Sequence, residues 1–193
     1  MVIKAIIFDC FGVLVTSARV VLKKDYPQYK NQIDDLNHQA DYGLISRQQF
    51  DEQLSNLIGI TPDQVESNYW RKSVRDEDTI NWLRQLKKSG MYKIGMLSNV
   101  GRGFMDSFFT PLEQHEMFDE VILSSDVDLA KPEIAIFELM ADRLGVEPNE
   151  CIMIDDTALN VEAAKNAGMQ GIWFVSTDTA QNEFDIILGS NYA

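Results

Sequence analysis

The chain is poor in cysteine and histidine, with only Cys10, Cys151, His38 and His115 in 193 residues. Two thiols make no disulfide framework, and each lies in or beside an apolar strand-like run, so both read as free, buried cysteines. Neither histidine adjoins a cysteine, which leaves a Cys-His nucleophile without a local signal, and two isolated histidines give no zinc spacing. Positive charge is also scarce. The 17 Lys and Arg stand against 30 Asp and Glu, a formal net charge of -13. That balance opposes any nonspecific grip on nucleic acid or an anionic membrane, although a local cationic pocket could still hold a small anion. No apolar run reaches the roughly 18 residues that cross a bilayer, and the first segment lacks both a basic leader and a small-residue cleavage pattern. A soluble cytoplasmic protein, with no nucleic acid and no membrane among its partners, is therefore expected. No internal repeat or low-complexity linker divides the chain, and a homo-oligomer stays open.

A hydrophobic content of 45% can fill one moderate core, which argues against a disordered chain. Five apolar runs read as strands: residues 2–8, 92–97, 121–123, 151–154 and 171–175. Their near-continuous apolar character suits a parallel sheet covered on both faces. Helical spacing of Ile134, Phe137, Ala141 and Leu144 predicts a helix over 132–144 with Pro132 in its first turn, and Leu159, Ala163, Ala164 and Ala167 predict another over 158–167. Strands alternating with helices give an α/β, Rossmann-like sheet. The 77 residues from Val15 to Met91 are too many for one crossover. They carry an amphipathic stripe over 46–58, a Thr61-Pro62 helix start and a further helix over 77–89. The expected division is a core of residues 1–15 and 91–193, and a mainly helical cap of residues 16–90 that includes the return helix.

Polar residues follow these strands at once: Asp9, Ser98 and Asn99, and Asp155 and Asp156, with Lys131 in a loop after the third. Open parallel sheets bind ligands outside such carboxyl ends. Three carboxylates repel one another and any phosphate unless a cation compensates them, and Mg2+ is a hard, oxygen-seeking candidate. Asp9 then reads as a nucleophile toward phosphorus, Lys131 as the group that steadies transferring oxygens, and Ser98 with the Asn99 amide as phosphate donors. Asp156 is the first choice for a direct metal ligand and Asp155 for a second, direct or through water. Asn160, one helical turn later, orients metal, water or Lys131.

The runs Asp9-Cys10-Phe11-Gly12-Val13-Leu14, Leu97-Ser98-Asn99, Lys131-Pro132 and Ile154-Asp155-Asp156-Thr157-Ala158-Leu159-Asn160 resemble the four motifs of the haloacid dehalogenase-like (HAD) hydrolase superfamily, in particular its capped sugar phosphatases with a double-aspartate fourth motif. The resemblance implies a catalytic Asp9, an organising Lys131, and Mg2+ held by Asp9, the Phe11 backbone carbonyl and Asp156. It also implies an aspartyl-phosphate intermediate formed from a small phosphorylated metabolite such as a sugar phosphate. Phe11 departs from the pattern. Most phosphatases of the family have an aspartate there that serves as acid and base, an assistance worth roughly 10²–10⁴-fold. An aromatic at that position is a feature of the 2-haloacid dehalogenases, but these usually lack the acidic pair of the fourth motif and have a tyrosine where this chain has Phe137. The alternatives are thus a 2-haloacid dehalogenase, and a catalytically impaired phosphometabolite-binding or regulatory protein. Arg47 and Arg102 are candidates for contacts to the remote part of a substrate, and Gly101 and Gly103 permit movement beside the second motif.

Overall fold

The computed structural model describes residues 2–100 and 105–190. Its sheet has five strands, β1 (Ala5–Phe8), β2 (Lys93–Ser98), β3 (Glu120–Leu123), β4 (Cys151–Asp155) and β5 (Gln170–Trp173), in the order β3-β2-β1-β4-β5. Every neighbouring pair is parallel. The central strand shows why the sequence selects this arrangement: all four residues of β1 are buried, as a strand covered on both faces requires. Ile6 and Phe8 enter one apolar layer with Trp82, Leu83 and Phe184, while Ala5 and Ile7 enter the opposite layer with Phe137, Met140 and Ala164. Phe8 meets Trp82 edge-on at 5.6 Å. Truncating such a fully buried aromatic to Ala costs about 3–5 kcal/mol.

Four helices lie between β1 and the return to β2: α1 (Ala18–Asp25), α2 (Lys30–Asp41), α3 (Arg47–Ile58) and α4 (Pro62–Asn68). Local chemistry sets the ends of α3 and α4. Ser46 with Gln49, and Thr61 with Gln64, form reciprocal capping boxes, and Pro62 occupies the first turn of α4, where its missing N–H loses no bond. Gly59 closes α3 at φ 77°, a conformation that favours glycine. The two chain segments at the base of this insertion are tied together: Thr16 N donates to Val74 O, and Asp76 N to Leu14 O. The return helix α5 (Glu77–Ser89) then packs on the sheet.

After β2 come α6 (Pro111–Met117), the short α7 (Ser124–Val127) behind β3, α8 (Ile134–Leu144), α9 (Ala158–Asn166) and α10 (Thr177–Ser190). The remaining expected strands and the helix over 158–167 match to within one or two residues at their ends, and two starts differ for a physical reason. The helix expected from Pro132 begins at Ile134 with Glu133 as its N-cap, because residues 131–132 are held in the site loop. The first strand begins at Ala5, not Val2, since Val2 is exposed and contributes nothing to the two-sided core. Among the described residues no helix is long and apolar enough to cross a membrane.

Candidate active site

Strand register brings the polar residues together. Phe8 lies opposite Met96 on one side and Ile154 on the other, so Asp9, Ser98 and Asp155 leave the sheet at one edge. Asp9 N–H donates to Ile154 O at 2.9 Å, which fixes the nucleophile candidate against the fourth motif. Lys131 reaches the same edge from the loop before α8. Its main chain is clamped by a reciprocal amide pair: Lys131 N–H donates to Asn99 Oδ1 at 2.8 Å, and Asn99 Nδ2 donates to Lys131 O at 2.7 Å. The Asn99 side chain thus secures the loop.

Lys131 is 4% exposed, and its ammonium has three close acceptors: Leu97 O at 2.9 Å, Asp155 Oδ2 at 2.6 Å and Asp9 Oδ1 at 2.9 Å. An ammonium has three protons, so its donors are matched. Burial works against its charge, but Asp155 and Asp9 outweigh that effect and hold its pKa above the ordinary lysine value. Asp155 is fully buried. Its Oδ1 accepts from Thr157 N–H at 2.9 Å and from Asn160 Nδ2 at 3.0 Å, and Asn160 also reaches Oδ2 at 3.1 Å. Asn160 and Lys131 thus share Asp155 as a partner.

Asp9 is 6% exposed. Its Oδ1 accepts from Lys131 and from Cys10 N–H, the latter at 2.6 Å; among the described residues its Oδ2 has no hydrogen-bond donor. Burial pushes the Asp9 pKa up to about 7, Lys131 pulls it down, and Asp155 and Asp156 push it up again. Burial and then Asp155 raise Asp156 as well. Burial first, and the Asp9 charge second, push the adjacent Cys10 thiol far up, which leaves Cys10 a packing residue and no ready thiolate.

Asp9, Asp155 and Asp156 each offer an oxygen, and these oxygens all lie within 4.8 Å of one another. This cluster suits a divalent cation, which would offset the burial, and after it the neighbouring carboxylates, that raise Asp9 and Asp156. Two further observations fit. The Phe11 carbonyl accepts no hydrogen bond from the described residues. Gly12, at φ 101°, lets the chain pass close to Asp156, for a Cβ there would stand 2.1 Å from Asp156 Oδ2. Gly12→Ala must strain its own backbone or displace that carboxylate. It should weaken Mg2+ binding, measured calorimetrically, by roughly 10- to 100-fold; unchanged affinity would show that Asp156 is not held by this contact.

The raised pKa of Asp9 gives a second expectation. In the metal-free protein the folded state holds this proton more tightly than the unfolded chain, so the contribution of Asp9 to stability is full below about pH 4 and is lost as pH rises toward about 7. A cation competes with that proton. Mg2+ should raise the melting temperature more at about pH 8 than at about pH 5.5, and calorimetry near pH 6.5 in buffers of different ionisation enthalpy should detect proton release. Equal stabilisation at both pH values, with no proton released, would contradict the assignment of Asp9 to the cation site.

Ser98 is 1% exposed, and its Oγ has no hydrogen-bond partner within the described structure. An unmatched buried hydroxyl is costly, and it lines a cavity of about 250 Å³ together with Asp9, Phe11, Lys131 and Asp156. Phe11 is itself held edge-on to Phe108 at 5.5 Å. The same cavity receives Arg19 and Lys23 from α1, two cations that sequence reasoning missed because α1 buries only Ala18 and Leu22 and leaves little periodic signal. Gly12 and Thr157 lay inside the quoted motifs, but backbone approach and an amide donor have no side-chain signature. Arg47 lies elsewhere, paired with Glu66 and Asp51 on a separate cavity of about 720 Å³ beside Trp70 and Arg75. That larger cavity contains none of the clustered carboxylates. Arg102, Gly101 and Gly103 fall outside the described residues. The indole of Trp173, also unassigned from sequence, donates to Asp156 O at 2.9 Å.

Comparison with known proteins agrees with this geometry. The sequence model described as haloacid dehalogenase-like hydrolase matches residues 3–168. A bifunctional epoxide hydrolase 2 from Sus scrofa is 34% identical over 109 residues, which are 54% of this chain and 19% of that protein. An (S)-2-haloacid dehalogenase from Pseudomonas fluorescens is 29% identical over 108 residues, covering 56% of this chain and 47% of that protein. The chain thus matches at most about half the length of these two curated relatives. Among solved structures, a HAD family enzyme from Bacteroides thetaiotaomicron, in complex with magnesium and inorganic phosphate, is similar with a TM-score of 0.69 at 23% identity, covering 88% of this chain and 93% of that one; at that identity the likeness concerns the fold. With residues 3–168 matched and the four motifs converging at one sheet edge, this chain belongs to the haloacid dehalogenase-like hydrolases.

Proposed function

We propose that the protein is a magnesium-dependent phosphatase of small phosphorylated metabolites such as sugar phosphates, acting through an aspartyl-phosphate on Asp9. The observation that carries this reading is the state of the Asp9 carboxylate: Oδ1 is held by Lys131 and Cys10, while Oδ2 has no donor among the described residues, and Asp9 shares its cavity with Ser98, whose hydroxyl is unpartnered there. One oxygen is anchored and the other is available to attack. Asp9, Asp156 and the Phe11 carbonyl would hold Mg2+, with Asp155 at the edge of the site already committed to Lys131. The ion would supply positive charge that lets a phosphate dianion approach the carboxylates.

In the first step Asp9 Oδ2 forms a bond to phosphorus as the bond from phosphorus to the leaving oxygen breaks, and Ser98 and the Asn99 N–H donate to the phosphoryl oxygens. Lys131 offsets their charge. Phe11 has no proton to give, so the departing alkoxide takes one from water. In the second step water attacks phosphorus, the acyl phosphate bond breaks, phosphate leaves with one proton released to solvent, and Asp9 is again a carboxylate. Without a side-chain acid at position 11, rates should fall steeply as the leaving alcohol becomes more basic.

The test is a panel of phosphate esters and 2-haloacids assayed with Mg2+ and with a chelator. Phosphate release that requires Mg2+ supports the reading. Phe11 and the similarity to (S)-2-haloacid dehalogenases favour a second reading, displacement at carbon by Asp9; halide release from a 2-haloacid, indifferent to chelation, would put it first.

A further inference from the structure

Trp173 ends β5, beside the fourth motif. It stands in register with Asp155, and Phe174 N–H donates to Asp155 O at 2.9 Å. The next carbonyl, Asp156 O, has a side chain for a partner: the Trp173 indole N–H donates to it at 2.9 Å. The residue carrying that N–H is 54% exposed. An aromatic left that far in water gains little from burial, so what the indole brings to this position is its donor. The bond falls on a peptide that has a second restraint. Thr157 N–H donates to Asp155 Oδ1 at 2.9 Å, and Asp155 is fixed in turn by Lys131 and Asn160. The C=O and N–H of an ordinary trans peptide point in opposite directions within one plane. Trp173 and Asp155 therefore pin the Asp156–Thr157 peptide at both ends, and with it the Cα from which the Asp156 carboxylate rises.

We infer that Trp173 is a positioning residue for the cation site, its indole N–H holding the Asp156–Thr157 peptide so that the Asp156 carboxylate stands ready beside Asp9. Two other contacts bound that carboxylate: Oδ1 receives the Thr157 hydroxyl at 3.3 Å, and Oδ2 faces Gly12. Gly12 and Thr157 belong to the motifs, whereas Trp173 reaches in from an edge strand outside them. It is absent from the wall of the Asp9 cavity, so it acts through the peptide and not by contact with substrate. Without the N–H, the peptide keeps only its Asp155 end and the carboxylate gains freedom that an ion must remove on binding. This role rests on the proposed assignment of Asp156 to the cation and adds to it the group that orients the ligand.

The experiment measures Mg2+ affinity by calorimetry for the native protein, Trp173→Phe, Trp173→Ala and Asp156→Asn, together with the melting temperature of each metal-free protein. Trp173→Phe keeps an aromatic ring and loses the donor. It should weaken Mg2+ binding about tenfold, the lower end of the roughly 10- to 100-fold loss that follows removal of a partner from a metal ligand. Trp173→Ala should weaken it by the same factor, because both variants lack the same N–H. Both should melt close to native without metal, which separates loss of orientation from loss of packing. Native affinity in Trp173→Phe, or a loss confined to Trp173→Ala, overturns the role of the indole N–H while a loss in Asp156→Asn still upholds Asp156 as a ligand. Failure of both Trp173 variants to fold overturns it as well, since the residue would then be structural. Native affinity in Asp156→Asn overturns the assignment of Asp156 itself, and the role of Trp173 with it.

Discussion

Asp9→Asn should abolish turnover, lowering kcat by roughly 10⁴-fold or more, because removal of a nucleophile leaves only binding and electrostatic assistance. The amide keeps the carboxylate's volume but cannot form the acyl phosphate. Stability gives the control. The folded state pays to keep Asp9 ionised, since burial and two neighbouring carboxylates raise its pKa to about 7. At about pH 8 the neutral amide removes that cost, although it also gives up an ion pair to Lys131, which keeps Asp155 as a partner. A melting temperature close to native, together with lost activity, is the expected result. Comparable turnover by the variant would move the chemistry to another residue.

Lys131→Ala is the second large effect, and it strikes both catalysis and folding. The ammonium joins Asp9, Asp155 and the Leu97 carbonyl. Without it, three carboxylates whose oxygens lie within 4.8 Å of one another lose their counter-charge. Breaking a buried ion pair from one side costs about 3–5 kcal/mol, and loss of a charge-stabilising donor lowers kcat by roughly 10²–10³-fold. The two losses separate by their dependence on conditions. Stability should recover in part below about pH 6, where the folded state can keep carboxyl groups protonated, and at high Mg2+. Activity should not recover, because neither change replaces the lysine. Wild-type kcat in a folded Lys131→Ala protein would contradict its role.

Asp9, Ser98, Asn99, Asp155 and Asp156 were legible in the sequence as candidates because each comes at the end of a strongly apolar run. Ile152, Met153 and Ile154 before Asp155, and Ile6, Ile7 and Phe8 before Asp9, announce strands, and parallel pairing then gathers their ends. Thr61 and Pro62 marked a helix start in the insertion through capping chemistry that acts within a few residues. What stayed illegible depends on distance in the chain. Nothing local connects Asn99 with Lys131, 32 residues apart, or Arg19 with Asp41; α1 buries only Ala18 and Leu22, and two of the buried positions of α2 are the polar Asn37 and Asp41, which blur an apolar stripe.

The central claim is that Asp9 Oδ2 attacks phosphorus inside a pocket neutralised by Lys131 and a cation at Asp9 and Asp156. Its most direct test is to mix native protein, Mg2+ and a phosphate ester that the protein hydrolyses, quench in acid on the timescale of one turnover, and map the modified peptide by mass spectrometry. A phosphoryl group on Asp9 that forms with Mg2+, is absent with chelator and is absent from Asp9→Asn is the predicted result. Mg2+-dependent hydrolysis with a phosphoryl group on a different side chain would contradict the account.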